Sequence, residues 1–417
     1  MTKDLVASGY KSSLLRNFTV KQLERYFETQ INDFKQLLRK VKIDGSTSHE
    51  RFTKVLNELT VKGFNDNNID QDLFNGLVYY LSDRVYHMNL NTSLGIDEAF
   101  NLLNESSKYS NYINKKLSKV ATNDSLITIR REGERLIFLF QLEVIELGGD
   151  SQKSNFYISC ILDFEDKYIQ IRLRHHYLKS SKFNLTKVIK HIVGFLSRLP
   201  IATSVGKYNE AFIQQSLYKM FLKESEKSLN LIKKEVAKEE KQNNVKGEEE
   251  LREDISNYLK QQLNISDPTS YVDKVMSVKY QDTVKQIKEK DFVNDGGFIF
   301  AFSFIDRKIT RSTNRNKDHK PVYYSKIYWN LRDVVKDYEE ISELGVYWKF
   351  NNTNFGKPLS IDDKSSDLSF AEVGFKEIHS ALEIHYYTNS SDENLVTLTN
   401  ERRLRERYVV WKIRKFI

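Results

Sequence analysis

Apolar residues in the first part of the chain recur every three or four positions, the spacing that places side chains on one face of a helix. Between residues 20 and 41 the positions that follow this rule are Leu23, Phe27, Ile31, Phe34, Leu38 and Val41. The same spacing predicts further helices over residues 52–59, 72–88, 96–103 and 109–120. The pattern therefore predicts an all-helical region over residues 1–122.

The hydrophobic pattern changes after residue 123, where apolar and β-branched residues form short runs separated by turn-forming residues. The predicted strands are residues 126–131, 135–147, 156–164 and 168–174. In the last of these, Ile169 and Ile171 alternate with polar residues such as Arg172, which predicts one buried and one exposed face. A helical stripe follows and ends at Pro200. Residues 123–203 are therefore predicted to form an antiparallel β-meander with a covering helix.

Residues 204–290 show helical spacing again, with a much higher density of charged residues. A heptad seam of about three repeats indicates a short coiled coil, and its positions are Tyr218, Leu222, Leu229, Ile232 and Val236. Residues 238–250 have almost no apolar side chain and contain Gly247, which is typical of a solvated tip or hinge. Two interpretations stay open for this segment, a projecting helical hairpin and a linker between domains.

The last region, residues 291–417, is predicted to be rich in β-structure. Its predicted strands are residues 298–305, 346–350, 368–375, 382–387, 395–399 and 405–413. The complete pattern predicts an α+β fold in four parts, namely a helical N-terminal region, a β-meander with a helix, a charged helical segment and a β-rich C-terminal region.

Composition narrows the class of protein. The chain carries 65 Lys and Arg against 57 Asp and Glu, a net charge of +8 that suits a polyanionic partner without requiring one. Cys160 is the only cysteine, so an intramolecular disulfide is excluded, and its place among alternating apolar residues predicts a buried thiol. No apolar run reaches the length of a signal sequence or a membrane span. We therefore expect a cytoplasmic protein with no membrane partner.

Motifs for catalysis and cofactor binding are missing from the sequence. It contains no Gly-rich phosphate loop, no paired-histidine zinc motif and no nucleophile elbow. No cofactor and no metal are expected, and enzymatic activity stays open with a non-enzyme favoured. A metal-dependent nuclease is the alternative, because it needs only a few carboxylates near a basic surface. The candidate residues are Asp163, Glu165, Asp166, Lys167, Glu143 and Glu146, with a second loose set at Glu372, Lys376 and Glu377.

Basic residues are concentrated at two places in the last region. The first is a polar stretch over residues 306–320, predicted to be an exposed loop, and the aromatic segment after it. Its candidate nucleic-acid-binding residues are Arg307, Lys308, Arg311, Arg315, Lys317, Lys320, Tyr323, Tyr324 and Lys326. The second cluster lies near the end of the chain and contains Arg402, Arg403, Arg405 and Arg407. Basic groups neutralise phosphates and aromatic rings stack on unpaired bases, so this combination predicts a nucleic-acid surface.

These observations favour a non-enzymatic nucleic-acid-associated protein that binds DNA or RNA through its C-terminal region. Only 4 prolines and abundant Lys, Asn and Ile indicate a bacterial or mobile-element source, which suggests a role in bacterial or phage conflict such as antiviral defence. The alternatives are the metal-dependent nuclease and a protein-interaction scaffold, whose helical regions bind another protein or a second copy of the chain.

Overall fold

The computed structural model describes residues 9–41, 46–120, 125–146, 152–243, 246–306, 310–316, 318–360, 362–387 and 393–417. The chain forms two compact units. Unit 1 contains Met1–Tyr208 and Ile378–Glu406, and unit 2 contains Asn209–Glu377 and Arg407–Ile417. The chain therefore leaves unit 1 after Tyr208, builds most of unit 2, and returns. The α+β class predicted from the sequence is confirmed.

Helices and strands alternate irregularly in unit 1. Up to Tyr208 they are α1 (Ser12–Leu15), α2 (Val20–Gln30), α3 (Phe34–Lys40), α4 (Ser48–Val61), α5 (Asn67–Asn75), β1 (Arg84–Thr92), α6 (Ile96–Glu105), β2 (Leu126–Glu132), β3 (Arg135–Glu146), β4 (Lys153–Asp163), β5 (Tyr168–Leu173), α7 (Leu185–Leu196) and β6 (Thr203–Gly206).

Unit 2 begins with four helices and continues as a sheet. Its elements are α8 (Glu210–Asn243), α9 (Glu248–Leu263), α10 (Thr269–Thr283), α11 (Glu289–Asn294), β7 (Gly297–Asp306), β8 (Thr310–Arg315), α12 (Lys326–Tyr338), β9 (Glu343–Asn351) and β10 (Leu368–Ile378). The returning chain then adds β11 (Ala381–Tyr386) to unit 1, together with the start of α13 (Leu395–Ile413). From Arg407 onward, α13 belongs to unit 2.

The sheet of unit 1 is covered by helices on both faces. Its antiparallel strands follow the order β2-β3-β4-β5-β1-β11, and β6 pairs with the second half of β1. Phe27 and Phe52 of the N-terminal helices pack with strand residues such as Ile137 on one face. Residues of α6 and α7, among them Ile192, pack with Phe138 on the other. The predicted meander and its covering helix are confirmed, but the prediction of one exposed face for β5 is wrong, because its polar side chains are buried as well. They lie on the face that the N-terminal helices cover.

The sheet of unit 2 has the antiparallel strand order β10-β9-β7-β8. One of its faces is covered by helices. On that face the Phe302 ring of β7 lies 5.1 Å from the Phe221 ring of α8 and 6.2 Å from the Tyr328 ring of α12. The Trp348 ring of β9 lies 5.8 Å from the Tyr408 ring of α13. The core of unit 2 therefore forms between this face and three helices.

The charged segment after residue 204 is helical, as predicted, and its helices pack on one another. Arg252 of α9 forms an ion pair of 2.8 Å with Asp273 of α10. The Thr283 hydroxyl of α10 donates to Glu239 of α8 over 3.0 Å. Residues 244–245, in the predicted tip, lie outside the described residues. These contacts are those of packed helices, and they favour the hairpin interpretation over the linker.

Three predictions for the N-terminal region are wrong. Residues 84–92 form β1 instead of the end of a helix, because β5 pairs with this segment on one side and β11 and β6 pair with it on the other. Residues 109–120 contain only two short 3₁₀ turns. The helix predicted over residues 20–41 is interrupted at Asp33, whose φ of 56° is left-handed. At β1, pairing with strands from distant parts of the sequence overrides the local helical spacing of apolar residues.

The two strands predicted nearest the end of the chain are also wrong, since residues 395–413 form the single helix α13. Buried residues recur along it at intervals of three or four, at Leu395, Leu398, Arg402, Glu406, Val409, Val410 and Ile413. Two of these positions are charged, and this concealed the helical stripe. Short apolar runs such as Val409–Val410 are compatible with either a strand or a helix when the rest of the stripe is not visible.

Glu406 lies between two buried arginines inside unit 1. Its carboxylate accepts hydrogen bonds from Arg172 and from Arg402, the latter over 2.6 Å, and the side chains of both arginines are at most 2% exposed. Arg172 also donates to the Val78 carbonyl, and Arg402 to the Ser82 carbonyl. The cluster therefore connects α13, β5 and the turn before β1.

The carboxyl group of Glu406 is held in its charged form. Burial alone would raise its pKa, but the charges and hydrogen bonds of Arg172 and Arg402 outweigh this effect, so the pKa lies below the ordinary value. A buried pair becomes strongly destabilising when one partner is removed, because the remaining charge is left without compensation.

We expect Glu406→Gln to lower the free energy of unfolding by about 3–5 kcal/mol, because two buried guanidinium groups lose their anion. Urea denaturation followed by circular dichroism measures this change. The control is Glu401→Gln on the same helix, whose side chain is 42% exposed and pairs with Arg405, and it should cost less than about 1 kcal/mol. Equal losses in the two variants would contradict the role of the cluster.

The same cluster predicts a pH dependence. Because the folded-state pKa of Glu406 is depressed, its contribution is complete above the ordinary carboxyl pKa of about 4.3 and is lost as the pH falls through the folded value. The stability difference between the wild type and Glu406→Gln should therefore shrink below about pH 4. Denaturation curves of both proteins across this range test it, and a difference that stays constant would count against the assignment.

Candidate nucleic-acid interface

Arg311 and Arg315, two residues of the predicted basic loop, lie on strand β8. The loop prediction is wrong for residues 310–315, which pair with β7 from Asp306 to Ala301. The polar sequence is compatible with a strand here because β8 is the last strand in the order and its side chains are largely exposed. Arg307, Lys308 and Lys317 lie outside the described residues, and Lys320 is exposed.

Burial alternates along β9 and β10, so that the helices cover one face of the unit 2 sheet, and most β9 and β10 residues of the other face are exposed or half-buried. We call this second face the open face. Its principal residues are Ser303, Arg311, Thr313, Arg315, Glu343, Gly345, Tyr347, Lys349, Phe370, Glu372, Gly374 and Lys376. These twelve residues include four cations and two carboxylates, so this part of the open face carries a positive excess.

Glu343 lies between two cations at one end of the open face. Arg311 approaches its carboxylate to 2.5 Å and Lys376 to 2.8 Å, while the side chains of both cations remain 49% and 43% exposed. Burial alone would raise the pKa of Glu343, but the hydrogen bonds from Lys376 and Arg311 outweigh it and lower the pKa. One charged carboxylate therefore holds two exposed cations that come from the two outer strands of this sheet, β8 and β10.

A row of aromatic rings crosses the other end of the open face. The rings of Phe298 and Tyr347 are stacked at 5.2 Å with an angle of 7°, and the ring of Phe370 follows at 5.8 Å from that of Tyr347. Phe298 is buried, Tyr347 is half-buried, and Phe370 is 41% exposed. Lys349 lies directly opposite Phe370 in the strand pairing. Aromatic surface therefore reaches solvent beside a lysine.

His319 and Phe300 fill the middle of the open face. A bulge in β7 between Ile299 and Ala301 adds Phe300 as an extra residue. Its ring lies over Gly345, where a Cβ atom would be only 2.5 Å from the Phe300 ring. The His319 ring stacks on Phe300 at 4.2 Å, and its Nδ1 forms a hydrogen bond with Glu372. Gly345 therefore makes room for this stack.

Tyr323, Tyr324 and Lys326 lie away from the open face. Tyr323 is buried and stacked on Phe292, and the Tyr324 hydroxyl donates to the Ile287 carbonyl over 2.9 Å. Lys326 begins α12, which packs on the covered face of the sheet. Tyr323 is therefore part of the core of unit 2, and Tyr324 is half-buried beside it.

The C-terminal basic cluster is divided between the two units. Arg402 is buried in the Glu406 cluster of unit 1. In the same unit, Arg403 pairs with Glu132 and Arg405 with Glu401. Arg407 belongs to unit 2 and lies over the Phe355 ring at 5.9 Å. Arg405 and Arg407 lie in the strand predicted over residues 405–413, and this prediction is wrong because the segment is part of α13.

Some of the carboxylates considered for a nuclease are engaged in structural contacts. Asp163 forms an ion pair of 2.6 Å with Arg135 and accepts the Asp166 backbone N–H at the turn. In unit 2, Glu372 pairs with His319 and Lys376 with Glu343. No group of three or more His, Cys, Asp or Glu side chains within the described residues is placed to hold a metal ion. Cys160 is fully buried in β4, as predicted, and burial raises the pKa of its thiol.

Tyr347, Lys349 and Phe370 were not identified as site residues from the sequence. Each occupies an alternate position of a strand, but alternation alone does not show which face the helices cover. In the sequence, an uncovered face is indicated by polar residues at alternate positions of β9, namely Glu343 and Lys349. Glu372 and Lys376 were noticed, but for metal chemistry.

Within the described residues, no helix combines the length and apolar character needed to cross a bilayer. No family model, no curated protein and no solved structure matches this chain. The open face of unit 2 therefore has to be interpreted from its own chemistry.

Proposed function

We propose that the protein binds nucleic acid through the open face of unit 2. The observation that carries this proposal is the placement of Arg311, Arg315, Lys349 and Lys376 on one uncovered sheet face beside exposed aromatic surface. Cations spread over a face can contact successive phosphates, and such contacts supply most of the affinity for nucleic acid.

The surroundings of these cations support binding rather than catalysis. Two of them are fixed by Glu343 while keeping exposed surface, so little side-chain freedom is lost when a phosphate arrives. The carboxylates on the face pair with neighbouring side chains, and the proposal assigns no catalytic step to them. A role in bacterial or phage conflict, a cytoplasmic location and the choice between DNA and RNA stay predictions from the sequence.

We expect binding of a fluorescent 20-nucleotide strand to weaken with salt, with a log–log slope of about −2 to −3 for three or four phosphate contacts. The double variant Arg311→Gln, Arg315→Gln removes two cations from the face and should reduce the magnitude of this slope by about 1.4. Fluorescence anisotropy between about 50 and 200 mM salt measures both quantities.

The matched control removes the same charge elsewhere, with Lys326→Gln on α12 and Arg405→Gln on α13. It should keep the wild-type slope, because neither residue lies on the open face. A wild-type protein that does not bind at low salt, or equal effects of the two double variants, would contradict the proposal.

A second candidate function, a protein-interaction scaffold, is supported by an exposed apolar stripe on α10. Tyr271, Val275 and Val278 follow helical spacing, and their exposed fractions are 49%, 47% and 59%. The opposite side of α10 is buried through Val272 and Met276. Apolar side chains grouped on a surface indicate an interface. A second copy of the chain is the simplest partner, because a two-fold pair needs only one such stripe.

We expect the wild-type protein to self-associate with increasing concentration and the double variant Val275→Asp, Val278→Asp to stay monomeric, because charge in an apolar contact is costly. Sedimentation velocity over a hundredfold concentration range measures the mass. The control Lys260→Asp changes charge at an exposed position of α9, outside the stripe, and this variant should still associate. A wild-type monomer at every concentration would exclude self-association.

A further inference from the structure

Phe370 is an exposed aromatic residue on the open face. Phe370 is 41% exposed, whereas the residues of β10 on the covered face, such as Ala371 and Val373, are buried. The ring continues the row of Phe298 and Tyr347, so it has a fixed neighbour on one side and solvent on the other. A positioned ring of this kind can stack on a planar group from the solvent.

The other end of the face is organised around a carboxylate. Glu343 accepts from both Arg311 and Lys376, which is how a phosphate group would be held between the same two cations. Along β10, Phe370 and Lys376 are six positions apart, a distance of roughly 20 Å at 3.3 Å per residue. At 3.4 Å per stacked nucleotide this corresponds to about six nucleotides. The two ends therefore fit one short strand that crosses the face.

The shape of the face disfavours a duplex. In a double helix the bases are already stacked and paired, so their flat surfaces are not available to a protein ring. A four-stranded sheet is about 14 Å wide between its outer strands, at about 4.8 Å per strand. The major groove is about 12 Å wide and admits a helix or a two-stranded ribbon. Only an unpaired strand can contact both the ring and the cations.

We propose that the ligand of the open face is single-stranded nucleic acid, with an unpaired base stacked on Phe370 and a phosphate bound between Arg311 and Lys376. This inference rests on the proposed function and specifies its substrate class. In the complex, the phosphate takes the contacts that Glu343 makes in the free protein. Glu343 thus orders the two cations and competes with the ligand for them.

The test compares 12-nucleotide probes of DNA and of RNA, each as a single strand and as a duplex, at one fixed salt concentration. The wild type should bind the single strands more tightly. Phe370→Ala should weaken single-strand binding roughly 5- to 150-fold, the effect of losing one base stack of about 1–3 kcal/mol. Phe370→Trp should keep it, because the larger ring preserves the stack. Comparing the DNA and RNA probes shows which sugar the face accepts.

Phe212→Ala is the matched control, because Phe212 lies on α8 of the same unit with a similar exposed fraction of 43%. It should stay within about twofold of the wild type. Glu343→Gln should bind single strands more tightly, since a like charge is removed from beside the phosphate. Circular dichroism checks that each variant is folded.

The possible outcomes distinguish a failure of the single-strand inference from a failure of the proposed function. If no probe binds at low salt, the proposed function fails. If duplex and single strand bind equally and Phe370→Ala equals Phe212→Ala, nucleic-acid binding stands and the single-strand inference is overturned. A single-strand preference lost in Phe370→Ala and kept in Phe370→Trp supports it.

Discussion

The carboxylate of Glu406, held between Arg172 and Arg402, is the interaction on which the arrangement of unit 1 depends. The chain leaves this unit after Tyr208 and returns only at Ile378. The returning segment must dock on a sheet whose other strands come from a distant part of the sequence. A buried ionic contact is specific in a way that apolar contact is not, because any misplacement leaves a charge without its partner. The cluster therefore selects one position for α13.

The sheet of unit 2 is covered by helices on one face only, unlike the sheet of unit 1. Three helices cover one side, and the other side is satisfied by its own polar contacts, among them the Glu343 bridge and the His319–Glu372 pair. An antiparallel sheet tolerates this asymmetry because its side chains alternate between the faces. The open face is thus available for a ligand without any rearrangement of the core.

The sequence was informative where the hydrophobic pattern is strong and local. The meander, α7 and the long helix α8 were all predicted from it. It failed where distant parts of the chain decide the structure. β1 is a strand only because β5 and β11 pair with it, and α13 is helical with two charged residues in its buried stripe. The spacing of apolar residues along the sequence reveals neither the strand pairing of β1 nor the buried charges of α13.

The candidate site was predictable to the same extent. Arg311 and Arg315 could be proposed as site residues because a cluster of charges is visible in a linear sequence. The aromatic residues Tyr323 and Tyr324 were assigned to the ligand from their proximity in sequence, but they belong to the interior and the loops beside it. Tyr347 and Phe370 lie on the open face instead, where strand register brings them together from 23 residues apart. The amino-acid composition does not show which residues are paired across neighbouring strands.

The separation of Arg172 from Glu406 also affects how the chain is made. The two residues are 234 positions apart, so during synthesis Arg172 leaves the ribosome long before its anion exists. At roughly 5–20 residues per second this delay lasts about 10 to 50 seconds. Throughout this interval unit 1 lacks β11 and the first half of α13, and the edge of β1 that β11 will cover remains without its partner. Nascent unit 1 thus has an unpaired strand edge, a feature that favours aggregation, for a time set by the speed of translation beyond residue 208.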